Sequence, residues 1–213
     1  MSILQMIRFI GSGIAITFEL APLCMLSTLV LGTILGFIQY KHVPVLSNVI
    51  DFYVLTMRGI PPLVVLLLLF FTWNLSTAFL TAFLALTIYH TAYILEIVRG
   101  GCQAIPKGQM EAGKSLGLGY FSIMLKVYLP QIILPIIPSL CGQYILVVKD
   151  TTLVSVVGVQ DIMWNARQLM EITFNPMIVY ILIGIFFYLL CLIIEVIGKR
   201  AEKMTPKMSR LKA

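Results

Sequence analysis

The sequence predicts an all-α fold, a polytopic membrane helical bundle of about five transmembrane helices, and three observations carry that prediction. Of 213 residues, 60% are hydrophobic and 11% charged, whereas soluble domains carry about a quarter charged residues; mean hydropathy is +1.00. The apolar residues gather in five stretches, 14–38, 52–72, 78–97, 129–148 and 177–197, each long enough to cross about 30 Å of hydrocarbon at about 1.5 Å per residue. Backbone in lipid must hydrogen-bond internally, which makes helices the spanning form. These stretches take up about half the chain, so no appended soluble domain is expected.

The first stretch follows Arg8 as a cleaved leader would, but Glu19 interrupts the run and no small-x-small cleavage pattern follows, so residues 1–38 are expected in the mature protein. Glu19 itself is either interfacial or a carboxylate offered to a cationic solute. The second stretch holds Arg58 and Pro61-Pro62. An arginine at a helix centre costs about 3 kcal/mol on insertion scales, so it should face the bundle or snorkel. Asp51, seven residues back on a similar face, is its expected partner. The prolines lack backbone donors and predict a kink, compatible with a moving gate or with static packing. In the third stretch Glu96 and Arg99 stand three apart and predict a helix-surface ion pair. His90 reads as a satisfied bundle residue.

Residues 98–128 form the longest loop, rich in small residues. After Pro106 and Lys107, the run 109–116 predicts about two helical turns with Glu111 in the favourable first turn and Gly117 as the stop. A short helix with small side chains lets its backbone approach a groove on a partner, and an ordinary inter-span loop is the plainer alternative. Lys149, Asp150, Thr151 and Thr152 then separate the fourth stretch from an apolar run, 153–159, too short to cross a bilayer. Non-helical polar backbone at that depth would be a re-entrant segment lining a cavity, or else a surface loop.

Lys and Arg number 15 against 9 Asp and Glu, a net charge of +6, and their placement sets orientation. Eleven basic residues fall on one side, namely Lys41, four in 98–128 and six in the tail, against Arg8, Lys149 and Arg167 on the other. That bias puts the tail and the 98–128 loop in the cytoplasm and the N-terminus outside. It also accounts for the basic tail without nucleic acid. Cys24, Cys102, Cys141 and Cys191 lack CxxC spacing, and three lie in predicted spans as small apolar groups, so neither a disulfide framework nor a metal site is expected.

Glu111-Ala112-Gly113, followed by Gly117 and by Val127, Leu129 and Pro130, resembles the cytoplasmic EAA loop of ABC-importer permeases: E-A-A, three residues, G, nine residues, I-x-L-P. Gly113 stands for the second alanine and Val127 for isoleucine. Arg58-Gly59-Ile60-Pro61, the segments 92–101 and 105–109, Leu129-Pro130-Gln131 and Lys149-Asp150-Thr151-Thr152-Leu153 extend the likeness. In this order and spacing the chain is similar to permeases of the polar amino-acid uptake family, of the histidine, glutamine and arginine type. Thr17-Phe18-Glu19-Leu20 departs from that family's Thr-Leu-x-x-Ser pattern, which makes Glu19 a candidate determinant of specificity.

The resemblance implies a single transmembrane permease domain over 1–213, with the coupling loop 98–128 inside it, in the bacterial cytoplasmic (inner) membrane. It implies a second permease subunit, identical or related, a cytoplasmic ABC ATPase dimer, an extracytoplasmic solute-binding receptor and an amino-acid substrate taken inward by alternating access. Gly108, Glu111, Ala112, Gly113 and Gly117 become the ATPase-coupling residues. Glu19, Arg58, Lys149, Asp150, Thr151 and Thr152 become candidates for the substrate pathway. No cofactor or catalytic residue is expected on this chain; ATP belongs to the partner, consistent with the absence of a GxxxxGK[ST] phosphate loop here. Three rivals stay open: a stand-alone amino-acid exporter or carrier without an ATPase, a channel, and an intramembrane enzyme, the last lacking Ser-x-x-Lys or His-Glu-x-x-His spacing.

Overall fold

The computed structural model describes residues 3–73 and 75–204, and among these there is no strand. The helices run α1 (Ile3–Gly11), α2 (Ile14–Lys41), α3 (Leu46–Gly59), α4 (Pro62–Thr72), α5 (Ala78–Gln103), α6 (Gly108–Ser115), α7 (Tyr120–Ile123), α8 (Leu129–Asp150), α9 (Ile162–Thr173) and α10 (Pro176–Met204). A π-turn over Met124–Tyr128 leads into α8, and a 3-10 turn over Thr151–Val157 continues it. By length and composition α2, α5, the part Pro135–Val157 of α8 and its 3-10 extension, and α10 can each cross a membrane, and the pair α3 and α4 makes a fifth candidate.

That pair corrects the prediction for 52–72. It is not one kinked span but two helices bent by 108°. Ile60, ahead of a proline, takes extended geometry (φ −109°, ψ 137°), and Pro61 is extended too, while Pro62 opens α4. Clash with a following proline ring disfavours helical backbone at the preceding residue. Two prolines in a row therefore turn a bend into a break. At its other end α3 starts after a tight corner in which His42 and Val45 both have positive φ, 53° and 68°.

The polar segment after the fourth stretch is also corrected. Lys149 and Asp150 form the last turn of α8, and Thr151 and Thr152 begin the 3-10 turn. The expected loop is helical because hydroxyls take the carbonyls that the tightening frees: Thr151 Oγ1 donates to Val148 O (2.7 Å), Thr152 Oγ1 to Lys149 O (2.7 Å) and Ser155 Oγ to Thr152 O (2.8 Å). α5 runs on to Gln103, so the first residues of the predicted 98–128 loop belong to a span.

α5 is the inner helix of the bundle: 61% of its central window is buried, against 17% for α10. Small residues set its contact with α2. Cys24, Thr28, Gly32 and Gly36 recur every four residues on α2 and are all buried. A Cβ at Gly32 would lie 2.6 Å from Ile94 Cγ2 and 3.0 Å from Leu95 N, so the two backbones meet where no side chain fits. α3 crosses α5 with Ile50 and Val54 against Ala92 and Leu95.

α1 and α9, which no hydropathy window detects, pack together through Met6, Ile10, Ile162, Ala166 and Leu169, and α10 adds Val179. They lie at the end opposite Lys41, where Gly13 meets the Asp161 carbonyl at the turn into α2; a Cβ there would stand 2.5 Å from Asp161 O. Buried Asp161 caps α9 by accepting from Trp164 N (2.9 Å). Its other oxygen, Oδ2, is buried without a hydrogen-bond partner. Burial pushes this carboxyl up to about 6, ahead of the opposing pull of backbone N–H groups.

Candidate functional site

Two groups of the predicted residues can be built up from the chain. The first is the short helix α6, Gly108–Ser115. Glu111 sits in its first turn and is exposed, as are Gly108, Ala112 and Gly117. The stop is a Schellman motif. Gly117 takes φ +75°, its N–H bonds Lys114 O (2.9 Å), and the N–H of Leu118 bonds Gly113 O (3.1 Å). Gly113 alone of the residues predicted for coupling faces inward, where a Cβ would lie 2.9 Å from both Cδ1 and Cγ1 of Ile123. The glycine in place of alanine thus lets α6 sit directly on α7. Outward, Leu116 and Phe121 are 78% and 67% exposed and form an uncovered apolar edge.

Tyrosines tie this segment to the foot of α2. Tyr120 OH donates to Phe37 O (2.7 Å), Tyr40 and Tyr128 hydroxyls meet at 3.2 Å, and Lys41 Nζ stands 5.0 Å over the Tyr120 ring. Through the π-turn the segment runs without interruption into α8, and Gln131 Nε2 donates to Val127 O (2.8 Å) at the join. π-turns inside helices recur at functional sites.

The second group lies along α5. Glu96 and Arg99 form the predicted pair in bidentate form, Nε to Oε1 at 2.9 Å and Nη2 to Oε2 at 2.8 Å. Arg58 does not pair with Asp51. The break after Gly59 carries Arg58 to Glu96 (3.9 Å) and over the Tyr93 ring (5.7 Å), while Asp51 accepts from Gln39. One turn and a half before Glu96, His90 is fully buried. Its Nδ1 lies 2.8 Å from Gln143 Nε2 and its Nε2 lies 3.2 Å from Asp150 Oδ2, both on α8. Tyr89 and Tyr93 hydroxyls meet beside it at 3.1 Å.

Of the predicted pathway residues, Asp150 joins His90 and Arg58 joins Glu96. Thr151 is buried, Thr152 half-buried and Lys149 exposed. Glu19 is exposed on α2, and among the described residues no hydrogen bond or ion pair links it to the others. His90 and Gln143 were not predicted as site residues. The available signal was spacing: Gln143 and Asp150 are seven apart, two turns along one helix face in an otherwise apolar stretch.

Comparison with known proteins agrees with this architecture. The chain is 33% identical to the arginine transport system permease protein ArtQ of Bacillus subtilis over 202 residues, 92% of each. It is 32% identical over 168 residues, 76% of each, to the probable glutamine ABC transporter permease protein GlnP of the same organism. The crystal structure of an amino acid ABC transporter with histidines superposes with a TM-score of 0.82 at 29% identity, covering 96% of this chain and 99% of that one. An inward-facing form of the MetNI methionine ABC transporter shares the fold, with a TM-score of 0.80 at 20% identity over 97% and 100% of the two chains. Residues 28–204 match the model of the binding-protein-dependent transport system inner membrane component, and the chain belongs to that family.

Proposed function

We propose that this permease subunit carries a polar or charged amino acid into the cytoplasm, with α6 docked on a cytoplasmic ABC ATPase. The observation that supports this reading best is α6 itself, a capped two-turn helix with Gly108, Glu111, Ala112 and Gly117 exposed, among the Lys41, Lys107, Lys114 and Lys126 charges that mark the inner face. ATP-driven closure of the ATPases would push α6, and the push would pass through α7 and the π-turn to α8. The ATPases' differential affinity for outward-open and inward-open forms then biases the exchange between them. A second permease subunit, identical or related, completes the pore; a receptor delivers solute to the outer face, where the N-terminus lies. ATP stays on the partner.

The names of the relatives, an arginine and a glutamine permease, favour amino acids as the solute class. Arg58, Glu19 and residues 149–152 supply charged and hydroxyl groups for such a path. Gly117→Asp tests the docking. No heavy atom lies within 4 Å of a Cβ at Gly117, and aspartate tolerates the left-handed backbone, so the chain itself should fold and insert. The expected result is a chain still in the membrane whose ATP-dependent amino-acid uptake falls by about tenfold or more, a barrier change of about 1.4 kcal/mol. Unchanged ATPase binding with unchanged uptake would overturn the docking role.

A further inference from the structure

We propose that His90 is a positioning residue for Asp150, holding one oxygen of that carboxylate so that the other is presented to the cationic group of the solute. The proposal rests on the placing of residues 149–152 in the solute path. Its starting point is the hydrogen bonding of a buried imidazole. The Gln143 Nε2 atom carries hydrogens only, so at 2.8 Å it is the donor and His90 Nδ1 the acceptor. The ring proton therefore sits on Nε2, on the side facing Asp150 Oδ2 at 3.2 Å. His90 is wholly buried while the Asp150 side chain keeps 24% of its surface open. The carboxylate thus has one shoulder in the bundle and one side accessible.

The pairing is close in distance but not in line: Nε2 has no aligned hydrogen-bond partner. A buried donor in that state favours any small turn of Asp150 that completes the bond. The two partners also lie on different helices. His90 belongs to α5, the inner helix, and Asp150 closes α8, whose other end is continuous with the coupling segment. Motion of α8 against α5 therefore changes how firmly the carboxylate is held. Gln143 fixes the tautomer, His90 fixes the oxygen, and Asp150 meets the solute.

The test uses the transporter assembled with its ATPase and receptor in proteoliposomes. It is run with whichever of arginine, lysine, histidine and glutamine the wild-type complex takes up fastest. His90→Leu removes both ring contacts, His90→Gln keeps a donor near the Nε2 position, and Asp150→Asn is combined with each. We expect His90→Leu to raise the KM for uptake by about tenfold with kcat changed by less than about threefold, the pattern of lost ground-state binding. We expect His90→Gln to recover most of that loss. In the Asp150→Asn background His90→Leu should change nothing further, because residues acting through one another are not additive. Gln143→Leu, which releases the tautomer, should raise KM in the same direction, and it carries the test should His90→Leu fail to assemble on size exclusion.

Independent, multiplying effects of His90→Leu and Asp150→Asn would overturn the proposal, as would a His90→Gln variant no better than His90→Leu. Wild-type uptake by Asp150→Asn alone would instead remove Asp150 from the solute path. Absence of uptake for all four amino acids in the wild-type complex would remove the cationic amino acids and glutamine as solutes, and this proposal with them.

Discussion

Replacing Gly32 by alanine tests how α2 and α5 hold together, and the expected size follows from the distances. The new Cβ would sit 2.6 Å from Ile94 Cγ2, 2.8 Å from Ile94 Cβ and 3.0 Å from Leu95 N. Two of those atoms are fixed by the α5 backbone, so the helices must part rather than a side chain swing away. Overpacking of this kind costs about 1–3 kcal/mol, while alanine in place of glycine inside a helix returns about 1 kcal/mol. Gly184 on α10 is the matched control, since a Cβ there meets no heavy atom within 4 Å and only the helix term acts. The two variants should therefore differ by about 1–3 kcal/mol, or about 2–12 °C in Tm at about 2–4 °C per kcal/mol for a chain of this size. Thermal unfolding of the purified full chain in one detergent measures it. Gly36→Ala, with Val98 Cβ at 2.9 Å and Leu95 O at 3.0 Å, should behave like Gly32→Ala. A Gly32→Ala chain that melts as high as Gly184→Ala would refute close backbone packing as the basis of the α2–α5 contact.

Two other outcomes are expected. Asp161 has a carboxyl raised from 3.8 to about 6 by burial, so its charged form is the disfavoured one in the fold: stability from this group is full below about 3.8 and is lost as pH rises through about 6. Asp161→Asn keeps an acceptor for Trp164 N and should raise stability at pH 7.5 by up to about 3 kcal/mol, with the gain gone by pH 4; melting curves at the two pH values check the sign, and an equal gain at both would count against it. Glu19→Gln should weaken uptake of lysine, arginine or histidine by up to about fivefold while sparing glutamine, the scale of an exposed charge contact of up to about 1 kcal/mol. Equal losses for cationic and neutral solutes would remove Glu19 as a charge reader.

The spans were readable because a run of 20 apolar residues in lipid leaves the backbone one good option. The short helix α6 was readable for a different reason: its signals are local. Glu111 in the first turn and Gly117 at the stop are decided within ten residues, and α6 with its Schellman close lies within one residue of the predicted 109–116. The α3–α4 break was half readable. Pro61-Pro62 announces a disturbance, but its 108° angle depends on α3 lying across α5, where Tyr53 OH donates to Ile88 O and Arg58 reaches Glu96. For that reason Asp51, a neighbour in sequence, lost Arg58 to a residue nearly forty positions away. α1 and α9 escaped notice because hydropathy windows are tuned to spans, although the Asp161 cap and the Ile162, Ala166, Leu169 spacing were present as helix signals.

The His90–Asp150 contact was not readable at all, since it requires the rotation of two helices about their own axes. The sequence does carry the cause of that rotation, in Gly32 and Gly36, which decide which face of α5 turns to α2, and in Gly101, which admits Ile136 and Ile132 of α8. Once α5 is clasped in this way, His90 faces Gln143 and Asp150. The α6–α7 segment and Asp150 then lie towards the two ends of α8. α8 spans 22 residues from Leu129 to Asp150 with Pro135 and Pro138 inside it, about 33 Å if straight at 1.5 Å per residue, with the α6–α7 segment before its start and the Asp150 carboxylate at its finish. α6 follows α5 after four residues and leads through α7 and the π-turn into α8, so it is joined in the chain to both helices that carry the pair. If α6 docks as proposed, relative motion of α5 and α8 alters the 3.2 Å approach of His90 Nε2 to Asp150 Oδ2, and that contact is where the proposed solute group would feel the ATPases.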